Sequence, residues 1–282
     1  FGFTSHFDGS PTPGVLHGIA REVVLVDPND ADGLEAAFAV EGERIAAAIL
    51  EPTGSSYGQV PLRPAFVQRL RAVTERHGAL LIFDEVVTGF RVARGGAQEA
   101  LGITPDLATL AKILAGGLPG GAVVGRRAIL DRLDPERAAA AGVEKIAHQG
   151  TYNANPVSAA AGIATLEIVR DTDAVARAHA YAARLRRGVL GIVARTGVGW
   201  LVHGRHTGLH ILVHPDGQAF DPMALDLRRV KAAAATETAR KLRLAMLNHG
   251  VDMAPWPGGP ASAAHDDADL ERTLTAFAAA IA

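Results

Sequence analysis

Three short, largely apolar runs, at residues 45–50, 79–83 and 107–110, set the terms on which this chain can fold. Each is too short for a helix that is apolar all round. They read as strands buried on both faces, the pattern of a parallel-type sheet between layers of helices. Each run also stops abruptly: the first at Glu51-Pro52, the second at Asp84-Glu85, the third just before Lys112 and the pair Gly116-Gly117. Between the first two, residues 64–77 carry Phe66, Leu70 and Val73 at helical spacing. Ligands of such sheets gather beyond the carboxyl ends of the strands. Asp84 and Lys112 share that address.

The remaining chain can be read in the same way. A strand is expected at 22–26, a helix over 30–38 capped by Asn29 or Asp30, and a short strand at 122–124. Asn155 and Pro156 supply the cap and first turn of a helix running toward Arg170. A second long helix covers 172–195. Strands at 200–203, 209–213 and 251–254, a helix over 222–249 stopped by Gly250, and a last helix over 267–281 complete the pattern. The change of character near 170–200 divides the chain into an α/β domain, residues 1–170, and a smaller α+β domain, residues 171–282.

Composition narrows the function classes. The 282 residues are 48% hydrophobic and 21% charged, as in ordinary soluble globular proteins. A formal net charge of -2 provides no global field to recruit nucleic acid or an anionic membrane. No long charge-free apolar stretch could span a bilayer. The absence of cysteine excludes disulfides, thiolate metal sites and thiol nucleophiles, and fits a cytoplasmic protein. The opening, Phe1-Gly2-Phe3-Thr4-Ser5-His6, has no signal-peptide pattern and no initiator Met, which points to a processed or truncated chain. Lysine occurs only at positions 112, 145, 231 and 241, so Lys112 stands out.

Lys112 lies in Leu110-Ala111-Lys112-Ile113-Leu114-Ala115-Gly116-Gly117. Burial among such neighbours would disfavour its ammonium and leave a nucleophilic amine able to form a Schiff base. The plain alternative is a lysine snorkelling from a strand end to water. Asp84 at a sheet lip could keep a pyridine nitrogen protonated, or could be a metal ligand, a cap or a structural acceptor. Gly150-Thr151, ahead of a helix start, can offer backbone amides and a hydroxyl to a phosphate, or can be a capping turn with no ligand. His203, His206 and His210 have helical spacing in a segment that reads as strand and loop, and are taken as packing or solvated residues rather than metal ligands.

Taken together and in order, three segments resemble class III aminotransferases of the pyridoxal phosphate (PLP) fold type I, especially the glutamate-1-semialdehyde aminomutase-like group. These are Phe83-Asp84-Glu85-Val86-Val87-Thr88-Gly89-Phe90-Arg91, then Thr109-Leu110-Ala111-Lys112 with Gly116-Gly117-Leu118-Pro119, then Gly150-Thr151-Tyr152-Asn153-Ala154-Asn155-Pro156. Glu51-Pro52 and Ser262-Ala263-Ala264-His265-Asp266 also fit. The resemblance implies an α/β large domain with a mostly parallel sheet covered on both faces, followed by a small C-terminal domain. It implies that Lys112 holds PLP as a Schiff base and shuttles the proton, that Asp84 pairs with the pyridinium nitrogen, and that Val86 packs on the ring. Gly150 and Thr151 would reach the cofactor phosphate of the other subunit in a homodimer with shared sites. Glu51 and Arg91 would be supports. The substrate would be a small amine or amino acid.

The chain also departs from that pattern. Family members normally carry a further N-terminal part with a phosphate loop and a ring-stacking aromatic residue, so a removed or separate N-terminal piece is expected. Residues 9–14 read as the start of a mobile gating loop. Ser56 stands where many ω-amino-acid aminotransferases carry a Glu, which tells against ready use of 2-oxoglutarate. Residues 254–260 lack the acid of the strict aminomutase, and Trp256 there either lines an apolar pocket or packs. The alternatives to an aminotransferase or aminomutase are a non-catalytic binding or assembly protein on the same fold, an inactive fragment, or another lysine Schiff-base enzyme.

Overall fold

The computed structural model describes residues 14–213 and 227–282; the expected loop at 9–14 lies almost wholly outside them. All three apolar runs form strands. Leu80–Glu85 is central, with Ala47–Leu50 and Leu107–Ala111 parallel on either side. Gly121–Gly125 adds an antiparallel edge to Leu107–Ala111. The mostly parallel sheet is therefore the observed one.

Side chains alternate across this sheet. Leu81, Phe83 and Ala108 point to a face covered by the helices Ala31–Glu41 and Pro64–His77, which bring Leu34, Phe38, Val67, Leu70 and Val73 into one core. Asp30 caps the first helix by accepting the Gly33 amide at 2.9 Å. Gly78, at φ 68°, ends the second in the left-handed conformation that costs glycine little. The register pairs Ile49 with Ile82 and Asp84 with Thr109, which places them together on the opposite face. There Ile49 and Val123 remain 63% and 49% exposed, so this chain covers its second face only in part.

A second sheet, Leu201–His203, Gly208–Leu212 and Gly258–Pro260, is wholly antiparallel. It packs with the helices Ala174–Thr196, Glu237–Asn248 and Asp267–Ala280 around Leu185, Val189, Leu242, Met246 and Phe277. The last helix begins with a reciprocal capping box between Asp266 and Asp269. Among the described residues no helix is long and apolar enough to cross a membrane.

Three expectations need correction. Residues 22–26 form no strand: the Glu22 and Val23 amides close turns onto Ile19 and Ala20, no strand edge is offered to the segment, and Val24 and Leu25 stay exposed. Residues 251–254 are not a strand, because Gly258–Pro260 takes the available edge of Gly208–Leu212. The single helix expected over 222–249 is two, Leu227–Ala234 and Glu237–Asn248, since Thr236 turns the chain and caps the second by accepting from the Ala239 amide; its expected first residues, 222–226, lie outside the described ones. The short helices Gly96–Leu101 and Pro135–Ala140 were not anticipated, being too brief for an apolar period to register.

One buried charge stitches the first sheet. Asp106 accepts the Leu81 amide at 2.8 Å and guanidinium N–H groups of Arg71 and Arg126, each at 2.9 Å. Burial pushes its pKa up, but these donors outweigh burial and hold it below the usual carboxylate range. Asp106→Ala strands a buried amide and the largely buried Arg71, and is expected to lower unfolding free energy by about 3 kcal/mol in urea titration. Asp106→Asn, which keeps an acceptor, should lose less.

Candidate active site

Parallel pairing sets Asp84 opposite Thr109, and Lys112 follows directly after the end of that neighbouring strand. Asp84 Oδ1 accepts from the Val86 amide at 3.1 Å and the Thr109 hydroxyl at 3.3 Å. Among the described residues its Oδ2 has no protein donor. The carboxylate is thus aimed by two contacts on one oxygen and keeps the other for a further donor. Val86 is half-buried beside it.

Lys112 departs from the burial argument made for it. Its side chain is exposed, because the chain turns at this point and sends the neighbouring apolar residues elsewhere. The residue has φ 52°, a left-handed conformation rare outside glycine, and opens the single-turn helix Lys112–Ala115. Such a conformation costs roughly 1–2 kcal/mol and persists only where surrounding structure imposes it. Here the imposition comes from the helix Pro156–Asp171. A Cβ on Gly116 would collide with the Ala161 carbonyl, and one on Gly162 with the Leu114 carbonyl. Only glycine at both positions lets helix and turn approach this closely.

The Gly150-Thr151 segment is a turn leading into that same helix. Asn155 caps it, accepting from the Val157 and Ser158 amides at 3.0 and 3.1 Å, with Pro156 in the first turn. Gly150 and Thr151 are exposed, and among the described residues no hydrogen bond joins Thr151 to Asp84 or Lys112. The structure therefore brings Asp84, Val86 and Lys112 together at adjoining strand ends and leaves Gly150 and Thr151 facing outward.

Two carboxylates around Asp84 do more than the sequence disclosed. Glu85 is 1% exposed. It accepts from the Thr88 hydroxyl at 2.9 Å, the Ala97 amide at 2.6 Å, the Gln98 amide at 3.2 Å and the Gln98 side chain at 3.0 Å. It was read only as part of the polar stop after a strand; the available signal was a second acid at a position alternation assigns to the core. Glu51 accepts the Thr53 amide at 2.8 Å, the Thr53 hydroxyl, and the Tyr57 amide at 2.7 Å. Burial raises its pKa to about 7 despite those donors, and the Asp84 charge pushes the same way. Arg91 donates to the Val87 carbonyl at 2.9 Å, a supporting role at the foot of the same segment.

The pattern of a sheet-lip acid beside a strand-end lysine can now be set against known proteins. The sequence profile described as Aminotransferase class-III matches residues 22–211. The chain belongs to the class-III aminotransferases. It is 38% identical over 275 residues to a glutamate-1-semialdehyde 2,1-aminomutase of Thermomicrobium roseum, covering 96% of this chain and 60% of that relative. A second such aminomutase, from Brevibacillus brevis, is 39% identical over 94% of this chain and 59% of its own length. Among solved structures, an omega-transaminase from Sphaerobacter thermophilus superposes with a TM-score of 0.81 at 32% identity, over 96% of this chain and 60% of that one. A glutamate-1-semialdehyde aminomutase from Pseudomonas aeruginosa does so at 0.78 and 28%, over 96% and 59%. This class-III aminotransferase chain thus spans about 60% of the length of the curated relatives it matches.

In the second sheet's neighbourhood, the Ser262-to-His265 turn closes on itself: His265 Nδ1 accepts the Ser262 amide at 3.0 Å, and the His265 ring stacks on Tyr181 at 4.9 Å. Trp256 is half-buried, and among the described residues its indole N–H has no hydrogen-bond partner. Of the histidines expected to be packing or solvated residues, His210 is buried, and His203 and His206 are half-buried. Burial pulls His203 down to about 3, helped by the nearby His210, and pulls His210 and His206 to about 4.

The Glu51 shift makes a testable statement. Its folded pKa, near 7, lies above the ordinary 4.5, so the folded chain binds a proton that the unfolded chain releases in between. The contribution to stability is full below pH 4.5 and is lost as pH rises toward 7, by about 1 kcal/mol per pH unit. Glu51→Gln should remove that slope, read from urea unfolding at pH 5, 6 and 7; an unchanged slope would show that Glu51 ionises normally.

Proposed function

We propose that this chain carries the PLP-attachment half of an enzyme that moves an amino group, as a transaminase between molecules or as an aminomutase within one. The observation that supports it most is the pairing of Asp84, with one carboxylate oxygen uncommitted, and Lys112, with its amine exposed from a strained left-handed backbone, on adjoining parallel strand ends. A scaffold has no use for that strain. The donor set fits the cofactor: an acid for a pyridinium N–H, an amine for an aldehyde, and a half-buried valine between strand and turn to lie along a ring.

When bound, pyridoxal phosphate supplies an aldehyde for amine exchange and a ring that takes up electrons as a bond next to the amino group breaks. The protein's part is to position and to move protons. Asp84 Oδ2 would accept from the ring nitrogen and keep it protonated, while the Val86 amide and Thr109 hydroxyl fix the carboxylate through Oδ1. Lys112 Nζ would anchor the cofactor, then act as the base that takes a proton from the substrate carbon bearing nitrogen and returns it one position away. Val86 would hold the ring plane.

Gly150 and Thr151 are proposed to serve the phosphate of a second subunit's site, a role supported by their exposure ahead of a capped helix. The working unit would then be a homodimer acting on a small amine or amino acid in the cytoplasm. In this reading residues 1–170 bind the cofactor and residues 171–282 form the small domain beside it.

The test is chemical. Protein mixed with pyridoxal phosphate, reduced with borohydride and digested should carry the label on Lys112, and Lys112→Ala should carry none. In the full-length enzyme Asp84→Asn should keep the label but lose at least about a hundredfold in turnover, since it removes the charge that sustains the ring as an electron sink. Label on Lys145, or full turnover in Lys112→Ala, would overturn the proposal.

A further inference from the structure

A cleft of about 530 Å³ lies between the loop that follows Glu51, the helix Ala174–Thr196 and the turn after Leu201–His203. It is not part of the site described above, since neither Asp84 nor Lys112 lines it. Its charge is one-sided. Arg186, Arg187 and Arg205 line it, the nearby His203 and His206 being kept neutral by burial, and among the described residues no carboxylate does. Two other arginines of the same helix are matched with acids: Arg177 with Asp173 at 2.9 Å and Arg184 with Asp267 at 2.6 Å. Arg186 instead donates through Nη1 to two neutral acceptors, the His206 carbonyl at 3.0 Å and the Gly208 carbonyl at 2.6 Å. Those bonds fix the guanidinium without cancelling its charge. Arg186 is half-buried, and burial together with the adjacent Arg187 charge lowers its pKa.

Two neighbouring guanidiniums, one of them pinned and partly desolvated, leave a positive potential that a bound anion would relieve. Leu190, one turn further along the same helix, and Val202 of the strand Leu201–His203 also line it. A volume of this size belongs to small-molecule sites rather than to a bare ion. We propose that the cleft binds a small organic anion, its carboxylate or phosphate head on Arg186 and Arg187 and its apolar body along Leu190 and Val202. Thr53 and Tyr57 also line the cleft, and their amides are the ones that hold Glu51. An occupant would therefore press on the loop whose other side sets the carboxylate next to Asp84.

The test is isothermal titration of the protein with phenyl phosphate, with benzoate, and with benzyl alcohol as the uncharged control. At least one anion should bind saturably and benzyl alcohol should not; which anion binds names the head group. Arg187→Gln, an exposed residue outside the hydrogen bonds described, should weaken binding about tenfold while circular dichroism shows the fold retained. Arg186→Lys should weaken it as well. Lys112→Ala should bind the anion as the parent does, which separates this cleft from a phosphate site near the lysine. Undiminished binding in Arg187→Gln, loss of binding in Lys112→Ala, equal binding of benzyl alcohol, or no binding of either anion would each overturn the proposal.

Discussion

The buried carboxylate of Glu85 is the constraint on which the candidate site depends. Alternation along Leu80–Glu85 means that fixing one residue's face fixes its neighbour's. Four donors from Thr88, Ala97 and Gln98 converge on Glu85 inside the protein. An anion so placed is tolerated only because it is fully hydrogen-bonded. The same contacts fold the segment after the strand back against it and bring the helix Gly96–Leu101 to the strand's end. Asp84 is thereby held on the opposite face, where Thr109 meets it across the parallel register.

Strain and close packing complete the arrangement at Lys112. Its left-handed backbone would relax were the turn free to move, but the helix Pro156–Asp171 lies against it at glycine distance through Gly116 and Gly162. The helix is itself anchored at its start by Asn155 and Pro156. The capping turn at Gly150–Asn155 and the lysine turn are therefore mechanically one unit, although among the described residues no hydrogen bond joins Thr151 to Lys112.

The loop from Glu51 to Pro61 joins the two sheets. Tyr57 sits in a left-handed conformation, at φ 61°, its amide on Glu51, its hydroxyl 2.7 Å from that of Thr207, and its carbonyl 2.8 Å from His210 Nε2. His210 is 4% exposed and kept neutral by burial, so this link between the sheets carries no ionic component. Movement of the second sheet would be felt at Glu51 through a single residue.

Much of this was legible in the sequence. The apolar runs and their abrupt ends at Asp84 and Lys112 determined the strands and the place where chemistry could occur, because burial on two faces demands continuous apolarity. The Asn155-Pro156 cap and the helix Pro64–His77 followed from local rules that act within one turn. Other features were decided only by tertiary structure. Lys112 is exposed although its neighbours are apolar, since a left-handed turn, invisible in residue type, directs it outward. Residues 22–26 and 251–254 have strand-like composition but find no free edge, and pairing is a property of partners rather than of a segment. The donors that make Glu85 a core residue come from 3 to 13 positions away along the chain, and the Tyr57 contacts to Thr207 and His210 span 150 and 153 positions. Hydrogen bonds at such separations are set by how elements pack, which local sequence does not encode.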